Sequence, residues 1–224
     1  MPHVPYATRA LLAALALTLA TPGSATAQSQ SGEPAAIDVV HYDAALEPDL
    51  QAGTVAGAVT IRVAATTSTD TITLDRGALD IDSVRIGAVN QRFDLVGRQV
   101  VVHLVPPLPS GATREIEVTY HGTPRSGLQF PSDRSQVYAI FTTSDWLPSV
   151  DAPLDRATLR LRVTLPDGLT AAGVGNASPV SPSADGRRVH QWRLDRTAPT
   201  YTFGFAAGRF TEVTTGLLRF LGWA

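Results

Sequence analysis

The chain has 224 residues, no cysteine, 18 basic residues that are all arginine, and a formal net charge of −2. Without cysteine, disulfides, thiolate metal sites and cysteine nucleophiles are excluded, and stability must come from packing. The slightly acidic balance lacks the basic excess that marks a nucleic-acid binder.

In chain order, Arg9, the apolar run Ala10–Ala20 and the small residues Ala25–Ala27 have the layout of a secretory signal peptide over residues 1–27. The apolar run falls short of the roughly 20 residues needed to span a bilayer. The expectation is an exported product, periplasmic or secreted, with no membrane attachment after cleavage. Residues 28–36 are small and polar and read as a flexible leader.

From Ile37 the chain alternates with period two. Val55, Gly57, Val59, Ile61 and Val63 share one face of a strand, as do Ile72 and Leu74 of the next. Ile116, Val118 and Tyr120 form a third face, and Leu159, Leu161, Val163 and Leu165 a fourth, with Arg160, Arg162 and Thr164 opposite. Such alternation is the mark of a strand with one face on a core and one in water. Turn residues separate the runs at 108–111, 121–127, 166–168 and 184–186. Helical periodicity is essentially missing after the leader, which predicts an all-β antiparallel sandwich or a related sheet architecture over 37–213. Residues 214–224 end apolar, and are expected to be a truncated link toward a further domain.

Catalytic patterns are scarce. His41, His103, His121 and His190 lie far apart, with no HExxH, and read as ordinary surface or edge histidines more readily than as a metal site. No G-x-S-x-G elbow occurs, although Ser149, Asp151 and a distant histidine can be drawn as a triad. "GVGNAS" (173–178) is followed by prolines, so it reads as a turn between strands rather than a phosphate loop. Asp145, Asp151 and Asp155 cluster around "DWLPSVDAP" (145–153). Turn formation and an ion pair from Asp155 to Arg156 account for them better than general acid–base work.

Several segments, taken in order, resemble the N-terminal β domain of the aminopeptidase N family of zinc metallo-aminopeptidases, which includes leukotriene hydrolase. They are "HYDAALEPDLQAGTVAGAVTIRV", "ITLDRGALDIDSVRI", "VTYHG", "WLPSVDAPLDRATLRLRVTLPDG" and "YTFGFAAGRFTEV", running from about Val40 to about Gly222. The resemblance implies a saddle-like, mostly antiparallel β domain, with a helical catalytic domain as its partner in full-length relatives. It implies zinc in that domain, but neither the family's HExxH nor its G-x-M-E-N segment occurs here, so no cofactor, catalytic or metal-binding residue carries over. Ser149 stands where the family's P-C-x-D motif has cysteine, and the substrate-touching glutamine upstream of that motif is missing. The resemblance therefore implies structural roles only: Trp146 or Leu147 as a buried plug, Pro148 and Pro153 fixing the path, and Asp151 satisfying turn backbone.

The functional expectation is a non-catalytic half of an exported aminopeptidase-like protein, a truncated or fragmentary product without peptidase activity alone. The alternative is a free-standing periplasmic β module that binds a peptide or protein by strand addition.

Overall fold

A computed structural model describes residues 35–215 and 218–223, with side chains as far as Phe210. The signal peptide expected over 1–27 and the leader as far as residue 34 lie outside the described residues. The strands are β1 (Ile37–Asp49), β2 (Thr54–Ala65), β3 (Thr69–Asp75), β4 (Asp80–Ile86), β5 (Val89–Asn90), β6 (Phe93–Val96), β7 (Gln99–Leu108), β8 (Thr113–Gly122), β9 (Leu128–Gln129) and β10 (Gln136–Ala139). They continue as β11 (Arg156–Leu165), β12 (Thr170–Gly173), β13 (Asn176–Ala177), β14 (Ser181–Pro182), β15 (Arg188–Pro199), β16 (Phe205–Gly208), β17 (Phe210–Thr215) and β18 (Leu218–Trp223). Two single-turn 3-10 helices, η1 (Thr143–Asp145) and η2 (Thr200–Thr202), are the helical elements among the described residues. None is long and apolar enough to cross a membrane.

The largest sheet is ordered β13-β15-β11-β1-β2-β8-β4-β5, with β14 also on β15. A three-stranded sheet β3-β7-β6 and a four-stranded sheet β12-β16-β10-β9 complete the domain, and β17 pairs with β18. The pairings are antiparallel except at the centre of the large sheet, where β1 and β11 run parallel with His41 opposite Thr158 and Leu46 opposite Val163. The fold class is all-β, as the alternation predicts. The apolar tail expected as a link is a strand ladder, with Phe210 opposite Trp223 and Thr215 opposite Leu218.

The alternating residues do face the core. Val55, Val59, Ile61 and Val63 of β2, Ile116, Val118 and Tyr120 of β8, and Leu159, Leu161, Val163 and Leu165 of β11 are all buried. They form one continuous apolar cluster with Ile72 and Leu74 of β3 and Val100 and Val102 of β7. Strict period two fails early in β1, where Val39 and Tyr42 are both buried although an odd number of residues apart. A bulge between Val39 and His41 inserts the extra residue that resets the phase. The expected turns end the strands, with Gly111 and Gly168 at φ of +76° and +83°, a region where a side chain is strained.

Candidate functional site

The segment 145–153 is a joint where the three larger sheets meet. The chain leaves β10 and turns at Phe141, which takes φ of +47°. It then closes one 3-10 turn, in which the N–H groups of Trp146 and Leu147 donate to the Thr143 carbonyl at 3.0 and 2.9 Å. Proline at 148 and 153 pre-sets the extended path into β11. Trp146 and Leu147 are both fully buried, and Pro148 is buried with them. Trp146 meets Phe205, in the four-stranded sheet, edge to face at 5.7 Å. Ser149 exchanges backbone hydrogen bonds with Asp75 of β3 at 2.7 and 3.0 Å. The Val150 N–H donates to the Tyr42 hydroxyl of β1 at 3.0 Å. Burial pushes the Tyr42 phenol far above its ordinary range, and the Val150 bond offsets this only in part. Apolar burial of about 2 kcal/mol for each large side chain, together with these hydrogen bonds, makes the joint a stabilising element in its own right.

The three aspartates grouped by the sequence separate. Asp145 is fully buried and pairs with Arg98 Nη2 at 2.6 Å, while the N–H of Ser126 donates to it at 3.0 Å and the Ser126 hydroxyl donates to the same oxygen. Gly77, at φ of +56°, admits this carboxylate, since a Cβ there would overlap it. Asp151 is exposed and does not cap turn backbone as expected. Its carboxylate accepts hydrogen bonds from the Ser144 and Thr200 hydroxyls at 3.0 and 3.3 Å, and its N–H donates to Asp75 Oδ2 at 3.0 Å. The expected Asp155–Arg156 ion pair is not formed. Adjacent residues point to opposite sides of the strand entry, so Arg156 reaches the Thr197 carbonyl at 3.4 Å while Asp155 turns back to the Val39 N–H at 3.1 Å. Burial raises the Asp155 pKa, the Val39 N–H works against this, and the neighbouring Asp38 carboxyl raises it again, to about 6. Pro153 is exposed, and Leu154 beside it is 94% exposed.

No triad forms. The Ser149 hydroxyl is buried without a hydrogen-bond partner, and Asp151 is held by hydroxyls rather than by a histidine. The four histidines among the described residues sit on β1, β7, β8 and β15 and engage different neighbours. His41 meets the Thr158 hydroxyl at 2.7 Å, His103 meets Asp94 at 2.7 Å, and His121 meets Asp82 at 2.8 Å. His190 stacks on Trp192 at 6.2 Å, and burial lowers its pKa. Among the described residues no three histidine or acidic side chains gather as metal ligands. "GVGNAS" forms the connection from β12 to β13, with Gly175 at φ of +94°.

Beside the joint lies an apolar face that the sequence reading did not single out. Tyr138, Ile140, Phe141 and Tyr201 are 36%, 40%, 73% and 45% exposed and line one shallow depression of about 460 Å³. The signal was present in "VYAIF", where large apolar residues fall on both faces of a short strand instead of one.

The family model for the peptidase M1 N-terminal domain matches residues 39–202. A curated relative, leucine aminopeptidase 2 of Pyricularia oryzae, is 22% identical over 195 residues, covering 79% of this chain and 32% of its own length. Among solved structures, a two-domain M1 zinc metallopeptidase mutant bound to L-tryptophan superposes with a TM-score of 0.72 at 27% identity, covering 84% of this chain and 47% of that one. The M1 zinc metallopeptidase of Deinococcus radiodurans gives 0.71 at 26% identity, covering 83% and 46%. The chain thus spans a third to a half of the length of these relatives. With its all-β architecture and its three-sheet joint, the chain belongs to the peptidase M1 N-terminal domain family.

Proposed function

We propose that this β domain is the non-catalytic half of an exported, aminopeptidase N-like zinc metallopeptidase, and that it acts as a scaffold against which a catalytic domain packs. The signal-peptide layout of residues 1–27 supports export. The observation that carries the reading is the exposed apolar face of Tyr138, Ile140, Phe141 and Tyr201, in a chain that matches less than half of two-domain zinc metallopeptidases. Four exposed apolar side chains gathered on one depression support a docking role, since extended apolar patches on soluble proteins mark interaction sites. In this reading the zinc and its ligands belong to the catalytic domain, and the chain alone has no peptidase activity.

The test combines sedimentation with an activity assay. The purified chain is expected to self-associate through this face, and Phe141→Asp is expected to abolish the association. Aminoacyl anilides should remain intact with and without added zinc. Zinc-dependent hydrolysis by the chain itself would refute the assignment, as would monodisperse behaviour at high concentration that Phe141→Asp leaves unchanged. The second reading, a free-standing module that binds by strand addition, draws on β6. This is an edge strand on which Leu95 and Val96 are 47% and 58% exposed.

A further inference from the structure

A second cavity among the described residues shares no lining residue with the joint or with the depression around Phe141. It has a volume of about 800 Å³ and is walled by residues from β1, β2, β4, β8 and the entry to β10. This is within the roughly 300–1,000 Å³ typical of small-ligand sites. Leu50, Val55 and Leu169 give it apolar walls.

Most of its charged groups are already engaged. Glu47 pairs with Arg187 at 2.8 Å and Asp167 with Arg188 at 2.9 Å. His121 pairs with Asp82 at 2.8 Å, and the Asp49 carboxylate accepts the N–H groups of Gln51 and Ala52. Three charged lining side chains, Arg134, Arg209 and Asp80, have no ion-pair or hydrogen-bond partner among the described residues.

The two arginines are brought together by the β10–β16 ladder. Gln136 lies opposite Gly208, so Ser135 and Arg209 are the next positions along the two chains, and Arg134 follows. Arg134 is also held in place. It adopts φ of +55°, a conformation that long side chains rarely accept, and its N–H is tied to the Pro131 carbonyl at 2.9 Å. Its guanidinium rests 6.0 Å over the Phe130 ring and fills space that a Cβ at Gly53 would occupy. A pre-positioned guanidinium loses little freedom on pairing and matches a carboxylate with two parallel hydrogen bonds.

We infer that this cavity binds a short peptide as its zwitterion, with Arg134 and Arg209 receiving the terminal carboxylate and Asp80 the terminal ammonium. Asp80 decides against a simple oxyanion, which it would repel and which would leave it unpaired. The site does not depend on the apolar face around Phe141, and its test is separate from that of domain docking.

The test is calorimetric titration of the purified chain with trialanine, trialanine amide, N-acetyl-trialanine and inorganic phosphate. Trialanine should bind saturably, and removing either terminal charge should weaken binding roughly tenfold or more, the loss expected for a charge-assisted pair. Arg134→Asn keeps a residue that tolerates positive φ while deleting the guanidinium, and Arg209→Gln leaves Arg134 untouched. Each should weaken trialanine by a similar factor, while Arg156→Gln, outside the cavity, should not. Asp80→Asn should weaken trialanine and leave N-acetyl-trialanine unchanged. The inference is overturned by an absence of saturable trialanine binding, by equal binding of the amide, by unchanged affinity in both arginine variants, or by phosphate binding more tightly than the peptide.

Discussion

Asp155→Asn isolates a carboxyl group that the fold holds at a disadvantage. In an unfolded chain this group titrates near pH 4. In the folded protein burial and the Asp38 carboxyl raise it to about 6. The folded state therefore holds the proton more tightly. The stability this confers is fully present below about pH 4 and is lost as the pH rises through 6. A gap of about two pH units, at about 1.4 kcal/mol each, sets a ceiling near 3 kcal/mol, and partial solvent exposure reduces this to about 1–2 kcal/mol. Asparagine keeps an oxygen for the Val39 N–H and carries no charge at any pH. At pH 8 the variant should be the more stable by about 1–2 kcal/mol, or about 2–8 °C in Tm for a domain of this size. At pH 4 the two proteins should melt together. Thermal melts of both at pH 4, 5, 6, 7 and 8 test this, since carboxyls common to both cancel in the difference. A Tm difference independent of pH, or a variant less stable at pH 8, would refute the reasoning.

Trp146→Ala should destabilise by about 4 kcal/mol, the range for deleting a fully buried large aromatic, read as a lower urea midpoint. Ser149→Ala removes a buried hydroxyl that lacks a partner and should be neutral or stabilising by about 1 kcal/mol in the same assay; a loss of 2 kcal/mol or so would show that the hydroxyl is satisfied. Tyr42→Phe leaves the Val150 N–H without its acceptor and should lose about 1–3 kcal/mol, with faster amide exchange at Val150 as the local signature.

The strands were legible because each buries one face only. The alternation in β2, β8 and β11 needs no knowledge of partners. The bulge at Val39–His41 was not legible, because one inserted residue looks the same as a weak pattern until the pairing with β2 is seen. The three aspartates illustrate a second limit. They are neighbours in sequence, but their partners lie in distant segments: Arg98 and Ser126 for Asp145, Thr200 for Asp151, Val39 for Asp155. The buried Asp145 depends on the absence of side chains at Gly77, a relation that no local spacing encodes. Trp146, Leu147 and Pro148 could be placed as a buried corner from hydrophobicity and proline spacing, whereas the cavity arginines could not. Arg134 and Arg209 are 75 positions of ordinary-looking chain apart, joined only by a ladder between two four-residue strands.

The parallel pairing of β1 with β11 gives the chain a long wait during folding. β1 and β2 form a local hairpin early, but the other edge of β1 finds its partner only in a segment about 116 residues further on, as the Val39–Asp155 contact measures. Until β11 arrives, the stretch of β1 from His41 to Leu46 that will pair with it keeps a bare edge on a strand with an apolar inner face. Chains shortened to end before Arg156 should keep the antiparallel β1–β2–β8 part of the sheet yet leave that edge permanently bare, and association between copies through β1 is then the expected fate. The long sequence separation of this pairing makes the sheet's central hydrogen bonds expected late formers, and its middle the place where folding and aggregation are expected to compete.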